Sequence, residues 1–138
     1  MDNELSELEL LFRIVFRKMR EQYSSVMSEY VTINEFIVLK HLLKGKMRVS
    51  DLSRALQVSA SHITSITDSL VQKQLIERER SSKDRRVVVL CLTNEGNDLI
   101  KKLNTLNSEF LQEKFKVFSK EEINDLICLL RKLENSII

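Results

Sequence analysis

The chain has 138 residues, 43% of them apolar and 30% charged, with two Cys, two Gly, no Trp and no Pro. That length fits one domain, or one compact core plus elements that a partner helps to bury, and the composition excludes low-hydrophobicity disorder. The net charge is only +2, no stretch approaches the roughly 18 uninterrupted apolar residues of a membrane helix, and the acidic start MDNELSELE lacks the basic n-region of a signal peptide, so a cytoplasmic protein is expected.

In chain order, the first predicted element is a helix. Leu5, Leu8, Phe12, Val15, Met19 and Val26 follow a three-four spacing broken at Gln22, and Leu11, Ile14 and Phe16 widen the stripe. Such a helix wants burial on more than one side. TINE then places Thr32 three residues before Glu35, a capping box that opens a second helix carrying Ile33, Phe36, Ile37, Leu39 and Leu43. Gly45, in KGK, ends it. VSDLSRAL predicts a short third helix with Leu52, Ala55 and Leu56 on one side. After the tight break QVSAS, Ser59 caps a fourth helix running to about Lys73, with Ile63, Ile66, Leu70 and Val71 as its buried stripe. The period then changes: LIERER and VVVLCL alternate or run β-branched around SSKDRR, which predicts a β-hairpin. Its tip has no Gly, so a longer loop is expected rather than a two-residue turn. Thr93 caps a fifth helix with Leu99, Leu103, Leu106 and Phe110 on its stripe. Ser119 and Glu122 form a second capping box, opening a sixth helix that carries Ile123, Leu126, Ile127, Leu130, Leu133 and Ile137.

The fold class expected is therefore mainly α with a small β-hairpin wing, a winged helix-turn-helix flanked by terminal helices. Residues 1–31 and 94–138 form the flanks and 32–93 the winged unit. The terminal helices are too apolar for a small central unit to cover. A second copy of the chain is the expected partner, through Leu5, Leu8, Phe12, Val15, Ile123, Leu126, Leu130, Leu133 and Ile137.

Charge is unevenly placed. Residues 44–86 hold ten basic and five acidic side chains, a net of +5, whereas the rest holds 12 basic and 15 acidic, a net of −3. A basic middle between acidic ends fits a segment that faces a polyanion. A helix fits the major groove and puts short side chains against base edges, while a cationic hairpin tip beside it can enter the minor groove. Double-stranded DNA is the expected partner.

The segment DLSRALQVSASHITSITDSLVQKQLIERERSSKDRRVVVLCLTNEG resembles the core of the multiple antibiotic resistance regulator (MarR) family of bacterial transcription regulators. Asp84-x-Arg86 followed after five residues by Leu92-Thr93 matches the family's wing signature, and the likeness covers residues 48–96. The resemblance implies an obligate homodimer whose fourth helix, residues 60–73, reads a major groove while Arg86 enters a minor groove, helped by Arg85 and Lys83. Asp84 would hold Arg86 in position. Ser61, His62, Thr64 and Ser65 are the candidate base or phosphate contacts, Ser59 stands at the helix start, and Ser50 and Arg54 on the supporting helix would meet phosphates. The sequence departs from the family at Gln57 and Gln74, where Gly is frequent, which puts strain in those turns in question. It also departs at Ser65 and Ser69, where Arg or Lys is frequent. The resemblance further implies a crevice for a small, often aromatic effector, with Phe12, Phe16, Tyr30 and Phe36 as candidate lining, and a repressor acting on a pseudo-palindromic operator.

Other chemistries find little support. There is no Ser-His-Asp order, GxGxxG or P-loop, and Glu121-Glu122 belong to a capping box, so no enzyme is expected. His41 sits one step off an apolar stripe as a structural residue, neither His stands in ligand spacing to a Cys, and no metal or cofactor is expected. Cys91 alternates as a packing residue on the wing. Cys128 lies opposite the stripe of the last helix and is the redox candidate. The competing reading, favoured by the thinly basic fourth helix, is a winged-helix protein-interaction module with little DNA binding.

Overall fold

In a computed structural model, which describes residues 2–137, six helices and one hairpin follow in the expected order: α1 (Asn3–Met27), α2 (Ile33–Leu43), α3 (Val49–Leu56), α4 (Ala60–Gln72), β1 (Ile76–Arg80), β2 (Val88–Leu92), α5 (Asn94–Phe115) and α6 (Lys120–Ser136). The chain divides into two compact units between Asn104 and Thr105, inside α5. The boundaries expected from sequence lay at 31/32 and 93/94. A helix that continues through a boundary has no break in periodicity to mark it.

In the first unit the caps form as local chemistry dictates. Glu35 Oε1 accepts from the Thr32 N–H at 2.8 Å, and Thr32 Oγ1 accepts from the Glu35 N–H at 3.1 Å, closing the capping box of α2. Asp51 does the same service for α3, accepting from the Arg48 N–H at 3.0 Å. Ser59 Oγ accepts from the His62 N–H at 3.1 Å at the start of α4. Thr93 Oγ1 accepts from the Gly96 N–H at 3.0 Å and donates to the Gln74 carbonyl at 2.7 Å, so the cap of α5 is also tied to the end of α4.

Phe36, Leu39, Leu52, Ile63, Leu70, Ile76, Leu90, Ile100 and Leu103 are all buried and make the core of this unit. Each is worth about 1.5–3 kcal/mol of burial. Ala55, expected beside Leu52, is exposed instead: only Leu52 of that short helix is fully buried. The strands pair antiparallel from Ile76↔Leu92 to Arg80↔Val88. Met47 adds a bridge on the outer side of β2, exchanging backbone hydrogen bonds with Leu90 at 3.1 and 2.7 Å. The tip spans residues 81–87, closed by the Ser81 N–H on the Val87 carbonyl at 2.8 Å, and no two-residue turn forms. Within this unit α1 meets α2 at Tyr23, whose ring lies edge-on to Phe36 at 6.0 Å. Met27 is the only buried residue among the described residues of α1.

The second unit is the later part of α5 with α6. Ser119 and Glu122 close the capping box, at 3.0 and 3.1 Å, and the Phe115 and Phe118 rings lie 6.0 Å apart. Leu111, Phe115, Ile123, Leu126, Ile127 and Leu130 line an apolar groove of about 580 Å³. No described residue of α6 is buried within the chain. No helix among the described residues is long and apolar enough to cross a membrane.

Candidate nucleic-acid interface

α4 presents two unlike faces. Ile63, Thr67 and Leu70 are buried, with Ile66 and Val71 half-buried beside them, while Ser61, His62, Thr64 and Ser65 are exposed. Thr64 Oγ1 donates back to the Ala60 carbonyl at 2.9 Å, and Ser59 and Ser61 hydroxyls pair at 3.2 Å. Exposed hydroxyls, most of them already engaged in these local bonds, and one imidazole thus project from the N-terminal turns, where the helix dipole favours anions. Below His62, a cavity of about 120 Å³ is lined by Asn34, Ile37, Leu56, Val58 and Ile66. The His41 ring, by contrast, bonds through Nδ1 to the Ile37 carbonyl at 2.9 Å and is half-buried.

Two features of this helix escape a reading by periodicity. Asp68 lies exposed on α4 and pairs with Arg78 of β1, which fastens the helix to the wing. Ser69, counted from sequence among positions lacking a base-reading cation, points the other way. Its Oγ donates to Glu35 Oε2 at 2.9 Å, and Lys73 Nζ donates to Glu35 Oε1 at 2.8 Å. Burial pushes the Glu35 carboxyl up, but bonds from Lys73, the Thr32 N–H and Ser69 outweigh it and hold the group below the usual carboxylate range. A buried Glu inside a capping-box motif is the only sequence signal, and its distant partners leave none.

At the wing tip, the Arg86 side chain is 92% exposed. Asp84 Oδ1 accepts from the Arg86 N–H at 3.0 Å and from Nε at 3.3 Å, and Oδ2 accepts from Nη2 at 3.4 Å. The backbone and guanidinium bonds of Arg86 lower the Asp84 pKa, so the carboxylate stays charged. Arg80 Nη1 donates to the Arg85 carbonyl at 2.9 Å and shapes the loop beneath Lys83 and Arg85, which are exposed.

Much of the basic charge is already matched. Lys46 pairs with Glu79, Arg48 and Arg54 with Asp51, Lys73 with Glu35, and Arg78 with Asp68. Lys44, Lys83 and Arg85 carry no ion pair among the described residues, and Arg86 has only its own neighbour. Within residues 44–86 the cations without an ion pair therefore lie at the wing and at the end of α2. Ser50 and Arg54 of α3 are exposed.

The aromatic residues expected to line an effector crevice lie on α1, on α2 and between them. Phe12 stacks on Phe16 at 5.5 Å on α1, with Phe16 62% exposed. Phe36 is core, and Tyr30 lies under Lys102 Nζ at 4.5 Å. The two cavities described above are lined by other residues. Cys91 is buried, its thiol pushed up by burial and by Glu79 and Glu77, and Cys128 is exposed. No cluster of three or more His, Cys, Asp or Glu among the described residues is arranged to hold a metal ion.

Leu5, Leu8 and Val15 are exposed on α1 and Phe12 is half-buried. On α6, Leu130 and Leu133 are exposed, with Ile123 and Leu126 half-buried, and Ile137, expected on this helix, lies just past its end in extended conformation and is exposed.

Comparison with known proteins agrees with this fold. A family model described as the transcriptional regulator SarA/Rot matches residues 21–103. The HTH-type transcriptional regulator YpoP of Bacillus subtilis is 34% identical over 129 residues, covering 93% of this chain and 92% of YpoP. The Bacillus subtilis HTH-type transcriptional repressor MdtR is 37% identical over 98 residues, 70% of this chain and 63% of MdtR. Among solved structures, a mutant MarR from E. coli complexed with operator DNA superposes with a TM-score of 0.82 at 27% identity, covering 95% of this chain and 96% of that one.

Proposed function

Since this chain belongs to the MarR and SarA/Rot family of winged-helix transcriptional regulators, we propose that it works as a homodimer that binds a pseudo-palindromic operator and represses transcription. The observation that carries the DNA reading is the pairing of an exposed, hydroxyl-rich N-terminal face on α4 with an Arg86 side chain that projects from the wing and is braced by Asp84. In this reading Ser61, His62, Thr64 and Ser65 meet base edges or phosphates in a major groove, and Arg86 enters the adjacent minor groove. Lys83, Arg85, Ser50, Arg54 and the Ser59 turn hold phosphates. Bidentate Arg-to-guanine readout is absent from α4, so selectivity rests on short polar contacts and DNA shape. Two copies joined through their apolar terminal helices would set two α4 helices about 34–36 Å apart, one helical turn of the duplex. A small ligand that changes this spacing would relieve repression. The repressor direction is supported by the name of the MdtR relative.

The absence of Lys and Arg from α4, ASHITSITDSLVQ, favours a second reading: a winged module that binds another protein. Duplexes selected from a random pool, then titrated at several salt concentrations, separate the two. A DNA reader gives log K falling linearly with log salt, with a slope of about −0.9 per phosphate neutralised. Arg86→Ala lowers affinity on the order of tenfold while leaving the oligomer unchanged. A flat salt dependence, or an Arg86→Ala protein that binds as wild type, rejects the DNA interface as drawn.

A further inference from the structure

Lys73 closes α4 in the middle of the most basic segment of the chain, yet its ammonium is turned onto Glu35, at 2.8 Å. Glu35 itself is 4% exposed at the side chain. Its Oε1 is shared by Lys73 and the Thr32 N–H, and its Oε2 takes the Ser69 hydroxyl at 2.9 Å. The carboxylate is thereby fixed to the first turn of α2, whose Phe36, Val38, Leu39 and Leu42 are buried in the core. The last turn of α4 is bolted to it through two side chains.

The placement has leverage. α4 has 13 residues, so it spans about 20 Å, and tilting it by about 5° around its C-terminal end moves the N-terminal turn by almost 2 Å. Ridge-and-groove packing alone leaves crossing angles with a scatter of about 15–20° between proteins, whereas hydrogen bonds to base edges tolerate only about 0.5 Å. Directional bonds from a buried charge restrict that freedom in a way that apolar contact does not.

Resting on the DNA-binding reading above, we infer that Glu35, Lys73 and Ser69 form a clamp that sets the angle of α4, so that Glu35 and Lys73 are positioning residues for operator selectivity and do not themselves contact DNA. Lys73 is then misread if counted among the phosphate-binding cations.

Two variants isolate the clamp. Glu35→Gln keeps a capping-box acceptor for the Thr32 N–H and deletes the charge. Lys73→Met deletes the other partner and retains an aliphatic stem at a position whose side chain is 41% exposed. Each is titrated with a selected operator duplex and a scrambled duplex across salt concentrations, alongside circular dichroism and sedimentation. The expected result is a folded protein with wild-type affinity for scrambled duplex and an unchanged salt slope. Its operator affinity falls on the order of tenfold, in the range of one mismatched base pair. Lys73→Arg retains most of the preference, and the double variant is no weaker than either single one, as coupled residues require. Three results overturn the inference. Lys73→Met could weaken both duplexes equally and reduce the slope by about one, marking Lys73 as a phosphate contact. Folded variants could keep the full operator preference, or their losses could simply add. If the wild-type protein binds no duplex, the DNA reading falls and this inference falls with it, a failure visible before any variant is made. Should Glu35→Gln not fold, Lys73→Met decides alone.

Discussion

Gln57 and Gln74 adopt φ of 55° and 63°, in the left-handed region where a Cβ meets the following carbonyl. Gln57 ends α3, and its turn lets the Val58 N–H reach the Ser53 carbonyl at 3.2 Å, while Ser53 Oγ donates to the Val58 carbonyl at 2.5 Å. Gln74 ends the turn after α4 and lets the Leu75 N–H return to the Leu70 carbonyl at 3.0 Å. Both side chains are exposed, so the strain has no packing to offset it. Gln57→Gly and Gln74→Gly should each stabilise the fold by about 0.5–1 kcal/mol in urea unfolding, the relief of strain exceeding the added unfolded-chain entropy. A loss of stability would mean that these Gln side chains make contacts worth more than the strain. The strain itself was legible in sequence, because Gln stands where a helix-ending turn asks for Gly. The role of Glu35 was legible only in part: its capping box spans four residues, but Lys73 is 38 positions away, and nothing local points from one to the other.

At the scale of elements, the helices and caps follow from nearest-neighbour chemistry, and the hairpin from a change of period. How the wing is seated does not. Gly96, in the first turn of α5, packs so closely on the preceding turn that an added Cβ would lie 1.9 Å from the Leu75 carbonyl oxygen, backbone that cannot swing aside. The same carbonyl accepts from the Thr93 N–H at 3.1 Å. Gly96→Ala must therefore push the start of α5 off the base of the wing, at a cost of about 3 kcal/mol by overpacking. Thermal unfolding checks it; a midpoint within a degree or two of wild type would show that α5 can slide without penalty. Met47 belongs here too. Its bridge to Leu90 gives β2 a neighbour on both sides, and because an isolated bridge has no strand pattern around it, sequence periodicity does not reveal it.

At the scale of the whole molecule the outstanding fact is uncovered apolar surface. On α1, Leu5, Leu8, Leu10, Leu11, Val15 and Phe16 are all at least 49% exposed, Leu129 on α6 reaches 64%, and Ile137 just past its end reaches 68%. Soluble monomers rarely leave so much apolar helix to water. If a second copy covers these faces, the unfolding midpoint rises with protein concentration, because association stabilises only the folded state. Removing residues 1–20 should give insoluble or monomeric protein in sedimentation. A well-behaved dimer from that truncation would place the interface elsewhere.

Sequence alone determined the order of elements, their caps, the wing and the family, since each depends on spacings within a turn or two of helix or on a motif a few residues long. Tertiary structure decided which polar groups are spent inside the molecule. Lys73 and Ser69 turn to Glu35, Arg78 to Asp68 and Lys46 to Glu79. It also decided that Phe36 is buried in the core and that the chain divides within α5. The physical reason is range: a cap or an amphipathic stripe is set by neighbours in the chain, whereas a buried charge takes its partner from whatever the packing of distant helices brings within hydrogen-bond reach.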